Sequence, residues 1–196
     1  VPKVSQEHRD ARRAQILSAA KRCFLRDGFQ ATSMQDLFAE SGLSAGSFYR
    51  YFANKDDVIL AIAEENLGAV TALVRELAID RPEQSLGAAL GAVLETVQRR
   101  NREDQLAAMA VLSWAEAQRS PQLRDRFTEL LGGMRRNLTR MIAARQAAGS
   151  LPTDVDAAAA AKLFLAIVPG AIVQLALFGE RDLKGVAAAA RAVWPA

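Results

Sequence analysis

One cysteine and one histidine, Cys23 and His8, are all that 196 residues supply of the side chains that build disulfides and most zinc sites. A lone cysteine closes no intrachain disulfide, which fits a reducing compartment, and no zinc-ligand cluster can be assembled from this pair. Proline and glycine are scarce, at six and twelve residues, and short β-branched runs of alternating polarity are nearly absent, which argues against strands. No glycine-rich nucleotide loop, metal cluster or nucleophile–base set is evident. Adjacent carboxylates occur at Asp56-Asp57 and Glu64-Glu65, but neighbours on a helix point in different directions and form no catalytic dyad. The sequence therefore calls for no cofactor and no metal. The N-terminal stretch is polar and charged rather than an apolar leader, so the expected location is the cytoplasm.

What remains is helix-forming material. The chain is 51% hydrophobic and 24% charged, a mix that folds, and Ala, Leu, Arg and Glu lose little rotamer freedom on a helix. The expected fold is all-α. Charge is unevenly spread. Through Lys55 there are nine basic and five acidic residues, a net +4 against +3 for the whole chain, so the remaining 141 residues carry −1. A basic end on a nearly neutral body is the footprint of a polyanion-binding head, although a merely solvated basic face would look similar.

Apolar residues Ile16, Ala19, Ala20, Cys23 and Phe24 recur at helical spacing, which predicts a first helix from about His8 to Asp27, ended by Gly28. Cys23 lies within this stripe and is read as a small buried hydrophobe. Thr32-Ser33-Met34-Gln35 matches a capping box, with Gln35 as the residue reaching back, and starts a second helix at Thr32 or Ser33. Ser41-Gly42-Leu43-Ser44 supplies a tight turn, and Ser44 caps a third helix expected over Ala45–Tyr51. Asn54 caps a fourth, with Asp56 and Asp57 complementing its dipole. Two short helices joined by a glycine-containing turn and braced by a longer one make a helix-turn-helix unit. Further helices are expected to Ile79, with a break at Asp80-Arg81-Pro82. They continue over Glu83–Arg100 with a break near Asn101, then Glu103–Arg119, Gln122–Ala148, Asp154–Phe178 and Asp182–Trp194. The apolar run Leu163–Gly179, at 17 residues, falls short of the roughly 20 needed to span a bilayer and is read as a buried helix, kinked at Pro169; no membrane is expected as a partner.

The stretch GFQATSMQDLFAESGLSAGSFYRYFANKDDVI, Gly28 to Ile59, resembles the N-terminal signature of the TetR family of bacterial transcriptional regulators. The Gly-aromatic start, the Thr-Ser cap, the SGLS turn, Gly46, Phe48-Tyr49, Tyr51-Phe52 and Asn54-Lys55 carry the match. One departure is Phe38, where the family often has a small alanine, and a larger ring there is expected to shift the second helix against the first. The resemblance implies an N-terminal three-helix helix-turn-helix head over residues 1–55. A shared fourth helix would join it to a larger helical ligand-binding and dimerisation domain over 56–196. It implies a homodimeric, ligand-responsive regulator, most simply a repressor, that binds double-stranded DNA at a pseudo-palindromic operator and is released by a small-molecule effector.

Phe48 and Phe52, four apart, should face the core of the head, leaving Ala45, Gly46, Ser47 and Arg50 free to approach DNA. Arg50 is the one side chain suited to bidentate readout of guanine, with a phosphate contact as its alternative. Tyr49 and Tyr51 look like the family's backbone-anchoring aromatics, and Lys55 would join its charge to the fourth helix's N-terminal dipole at a phosphate. Thr32 and Ser33 occupy the equivalent position on the second helix, where they are caps, phosphate ligands or both, and Ser44 holds the start of the third. Arg12 and Arg13 offer further phosphate or minor-groove contacts, or are solvated surface. Within the body, Met109, Trp114, Phe127 and Met134 are the expected lining of a cavity for a neutral, largely apolar effector. By resemblance, Leu165, Val168, Ile172 and Leu175 are the expected positions at the interface between two copies. A DNA-binding protein of the same fold without an effector is the alternative, and a helical-bundle enzyme the remote one.

Overall fold

The computed structural model describes residues 6–79, 85–180, 183 and 185–194. Among them nine α-helices and no strand are found, in agreement with the all-α expectation. The expected break at Asp80-Arg81-Pro82 and the expected helix starts at Glu83 and Asp182 lie outside the described residues.

Helix α1 (Gln6–Asp27) buries Ile16, Ala19, Ala20, Cys23 and Phe24, the stripe read from the spacing, together with Leu17. It ends where Gly28 turns left-handed at φ +80°, a conformation that costs glycine little. Helix α2 (Met34–Ser41) has Ser33 as its cap, but Asp36 and not Gln35 closes the box. The Ser33 N–H donates to Asp36 Oδ2 over 2.8 Å and the Asp36 N–H returns to Ser33 Oγ over 3.2 Å. Asp36 stands at the third helical position, whose side chain reaches the cap backbone, whereas Gln35 is one residue too early. Helix α3 is shorter than expected, Ala45–Phe48. Beyond it the chain runs on as turns through Tyr51, with Tyr51 N–H bonded to the Phe48 carbonyl and Phe52 N–H to the same oxygen.

Helix α4 (Lys55–Ile79) is capped by Asn54, whose Oδ1 accepts from Asp57 N–H at 2.8 Å. Its first half enters one apolar cluster and its second half another. Val58, Ile59 and Ile62 pack with Ile16, Phe24, Leu37, Phe48 and Phe52 of the head. About two to three turns later Val70 and Val74 join the core of the body. The head cluster is closed from the far side by Met109, Leu123 and Phe127 of later helices, so head and body share packing as well as chain.

The body comprises α5 (Leu86–Asp104), α6 (Leu106–Ala117), α7 (Pro121–Ala147), α8 (Ala157–Phe178) and α9 (Val186–Val193). The break expected near Asn101 falls at Gln105, which takes a left-handed φ of 53°. Asn101 stays helical and supports that break from within, its Oδ1 accepting Ala107 N–H at 3.0 Å. Ser85, Ser120 and Asp156 cap α5, α7 and α8 through side-chain oxygens, and Pro121 occupies the first turn of α7, where its missing N–H costs nothing.

Helix α8 is longer than its apolar run, 22 residues with a most apolar window of mean hydropathy 2.0, so length alone does not exclude a bilayer span. The buried helix expected from the run is buried on one side only: Ala161, Phe164, Val168, Ala171, Ile172 and Leu175 pack in the body core, and about a third of the most apolar window is buried. Pro169 lies inside this helix, where it brings no N–H to the Leu165 carbonyl.

Helix α9 lies backbone to backbone on α5. A Cβ added at Gly87 would meet the carbonyl oxygens of Ala190 and Trp194, and one at Gly91 would stand 3.0 Å from the Ala187 carbonyl. The Gly87 N–H already donates to Trp194 O at 3.2 Å. At Gly91 the Arg191 side chain, also 3.0 Å away, can yield, but at Gly87 every obstacle is backbone, so Gly87→Ala must push α9 away. The expected cost is about 1–3 kcal/mol of unfolding free energy, checked by urea denaturation; an unchanged midpoint would contradict this packing.

Candidate nucleic-acid interface and effector cavity

The three-residue spacing from Ser44 to Ser47 starts α3: Ser44 Oγ accepts the Ser47 N–H at 3.3 Å and stands 3.1 Å from Ser47 Oγ. Phe48 then faces fully inward and Phe52 nearly so, as their spacing required. Phe38 fills the space between α2 and α3. Its ring meets Phe48 edge-on at 5.1 Å and Tyr49 at 5.4 Å between centroids. The departure noted at Phe38 thus adds an aromatic brace under the recognition element. Arrangements of this kind contribute about 0.5–1.5 kcal/mol beyond area burial.

The inward Phe48 leaves the opposite surface clear. Ser44, Ala45, Gly46, Tyr49 and Arg50 are exposed, and Ser47 and Tyr51 half-buried. Tyr49 is 51% exposed despite its packing on Phe38. Arg50 Nη2 donates to Ser47 Oγ at 3.2 Å, which holds the guanidinium over the helix's own surface. His8, Arg9, Arg12, Leu43, Ser47, Arg50 and Tyr51 together line a groove between α1 and α3. Three arginines on one concave surface concentrate the positive charge of the head. Arg9 went unnoticed in the sequence because it precedes the apolar stripe; its phase on α1 relative to Arg12 was the available signal.

The remaining expected DNA ligands are occupied within the chain. Thr32 is 1% exposed and its hydroxyl donates to the Gly28 carbonyl at 2.8 Å. Ser33 is exposed, but its hydroxyl donates to Asp36 Oδ2 at 2.7 Å. Those hydrogen bonds from Ser33 hold the Asp36 carboxyl below the usual carboxylate range. Lys55 Nζ donates to the carbonyls of Thr32 (2.6 Å), Phe29 (2.8 Å) and Gln30 (3.4 Å) and sits 4.8 Å from the Phe29 ring centroid. An ammonium has three donors, and here three carbonyls take them. Arg13 turns toward α4 as well, 3.4 Å from Glu65 and over the Phe52 ring, while Arg12 bonds Gln15 on its own helix at 2.7 Å. On the other side of α1, Arg22 holds the Glu40 carboxyl below its usual range through a 2.7 Å bond, with Arg26 adding to the effect. Cys23 is fully buried, and burial pushes its thiol up, as suits an inert packing residue.

The head also touches the end of α6. Gln30 Nε2 donates to Glu116 Oε2 at 2.6 Å, and Ser120 Oγ lies 3.0 Å from Asp56 Oδ2. Glu116 is only 5% exposed and is further paired with Arg119 at 3.3 Å. Nothing in the periodicity of α6 marks this residue except a carboxylate on an otherwise apolar helix.

A cavity of about 120 Å³ lies in the body between α4, α5, α6, α7 and α8. Of the residues named for an effector cavity, Trp114, Phe127 and Met134 line this one; Met109 does not, and is packed wholly in the head-side core. Met109 was placed by composition alone, and α6 buries residues toward both cores. Leu165, Val168 and Ile172, expected at an interface between copies, line the cavity instead, and Leu175 is buried in the core. A helix apolar on nearly every side gives no phase to choose between its faces, and the outward side of α8 carries Leu163, Val173, Leu177 and Phe178. Asn66, missed in the sequence, is the one amide on the wall; its signal was a polar residue in the stripe Ile62, Asn66, Val70.

Removing the Lys55 clamp should weaken the head before it affects anything else. Lys55→Met is expected to lower unfolding free energy by about 2 kcal/mol, the scale of lost hydrogen bonds to a charged group, read by thermal or denaturant unfolding. Unaltered stability would mean that the three carbonyl contacts contribute nothing.

The geometry agrees with the comparisons to known proteins. Residues 16–62 match the family model described as bacterial regulatory proteins, tetR family, and residues 82–193 match that of the BetI-type transcriptional repressor, C-terminal. An HTH-type transcriptional regulator of Bacillus subtilis, YfiR, is 32% identical over 97% of this chain and 93% of its own length. Salmonella enterica GusR superposes with a TM-score of 0.76 at 27% identity, covering 97% of this chain and 96% of that one. Bacillus subtilis FadR, in complex with stearoyl-CoA, superposes with a TM-score of 0.73 at 19% identity, covering 92% and 94%. The chain belongs to the TetR family of bacterial transcriptional regulators.

Proposed function

We propose that the protein is a ligand-responsive repressor that binds a pseudo-palindromic operator as a homodimer and releases it when a small, largely apolar molecule enters the body. Residues 1–55 act as the DNA-binding head and 56–196 as the effector-binding and dimerisation domain, working in the bacterial cytoplasm without catalysis. The observation that carries the reading is the α3 surface, where small exposed residues and Arg50 stand beside a groove with Arg9 and Arg12. Ser44, Ala45, Gly46, Ser47, Tyr49, Arg50 and Tyr51 form the contact set. Thr32, Ser33 and Lys55 shape the head that presents them.

Gly46 gives that surface its sharpest argument. It sits in a helix with no positive φ, and a Cβ added there would meet nothing within 4 Å. Neither backbone conformation nor internal packing asks for glycine at this second residue of a four-residue helix, where alanine is the better helix former. The reason for smallness then lies outside the molecule, in a partner that approaches the backbone closely.

An uncharged cavity in the body supports an apolar effector, and FadR, a fold-mate in complex with stearoyl-CoA, supports small-molecule binding on this fold. The outward apolar side of α8, with Leu177 and Phe178 more than 60% exposed, supports pairing with a second copy. Two heads on one dimer would face successive major grooves. The coupling between effector and DNA sites is expected at about 1–3 kcal/mol.

Selection of duplexes from a random library, then titration at fixed salt, tests the first step. The expected preference for the selected duplex over a scrambled one is about 10³ or more; a ratio near one would leave only charge-driven binding. Gly46→Ala should raise the stability of the head by several tenths of a kcal/mol while weakening binding of the selected duplex. Tighter or unchanged binding would remove the close-approach argument.

A further inference from the structure

The cavity wall is chemically almost uniform. Among the described residues none around it carries a charge, and its polar members are Asn66, Ser113 and the indole N–H of Trp114. The Ser113 hydroxyl is already committed, donating to the Met109 carbonyl at 2.7 Å. Asn66 is different: it is 93% buried, and its Oδ1 has no hydrogen-bond partner among the described residues. A buried carbonyl oxygen left unmatched is costly, and helix α4 could have carried leucine or valine there as it does at Leu67 and Val70. The residue therefore makes sense against a molecule that brings a donor into the cavity.

We infer that the effector is a neutral, single-ring-sized apolar molecule bearing one hydroxyl or N–H donor, which docks on Asn66 once its amide turns to present Oδ1, sealed in this structure, to the cavity. This rests on the reading of the cavity as an effector site. Size sets the scale, because a cavity of about 150 Å³ lined by apolar side chains accommodates benzene; the volume here is about 120 Å³, in a pocket that also reaches the exposed Leu131. Charge sets the limit, since an ionised carboxylate would lose its hydration with no cation to face it. Trp114 and Phe127 offer aromatic surface for the body of such a ligand. The ligand's bond would fall on the same helix whose first residue, Lys55, holds the head.

Calorimetry on the full chain at neutral pH with phenol, benzene and benzoate tests the class directly. Phenol should bind about tenfold more tightly than benzene, the scale of one hydrogen bond to an otherwise unmatched buried group, and benzoate should bind more weakly than either. Asn66→Val, which removes the amide and keeps comparable bulk, should bring phenol to the level of benzene. Benzene binding as well as phenol, benzoate binding best, or no binding of phenol would each overturn the proposal. The wild-type series decides this even if the variant does not fold. Duplex release is read separately: a protein that ranks the three ligands as expected yet keeps its duplex would support the ligand class and contradict the release step.

Discussion

The contact of Lys55 with the loop between α1 and α2 is the constraint on which the rest of the structure hangs. A lysine at the first residue of a helix faces the positive end of the dipole, an unfavourable place for a cation. Three main-chain carbonyls and the face of Phe29 offset this by surrounding the ammonium. The exchange fixes the start of α4 against the segment that leads into α2, and α2 in turn positions α3 through Phe38. Orientation of the exposed α3 surface is therefore set by a half-buried polar knot, with the aromatic core beneath it supplying the free energy.

Helix α4 carries that knot into the body. Its early residues complete the head cluster and its later residues the body cluster, with Asn66 on the cavity wall between them. A second connection runs through the end of α6, where Glu116 holds Gln30 and Ser120 meets Asp56. Trp114 and Ser113 on that helix line the cavity, one turn from Glu116. Three helices, α4, α6 and α7, thus touch both the cavity and the head, so the head is packed against the cavity wall and is not carried on a free hinge.

Much of this was legible in the residues. The α1 stripe, the Gly28 stop, the Ser44 and Asn54 caps and the inward Phe48 all follow from periods and caps that act within a few residues. What escaped depended on contacts distant in sequence. Lys55 could not be assigned to the Phe29 and Thr32 carbonyls from spacing, because their approach is made by the folding of the head as a whole. Gln35 and Asp36 compete for one cap, and only the helix start decides between them. In α8 the difficulty was excess: with Leu, Ile and Val on most sides, the sequence does not say which stripe lines the cavity and which faces out. Gly87 and Gly91 were visible as a pair four apart, yet their purpose appears only when α9 is laid against them.

The central claim is that Lys55 organises the head internally and does not hold a phosphate. The salt dependence of duplex affinity discriminates the two roles, because each phosphate contact adds close to one unit to the slope of log K against log salt. The account predicts that Lys55→Met, under conditions where it remains folded, keeps the wild-type slope even if its affinity is lower. A slope reduced by about one unit would show that Lys55 leaves the carbonyls for the DNA backbone and would contradict it.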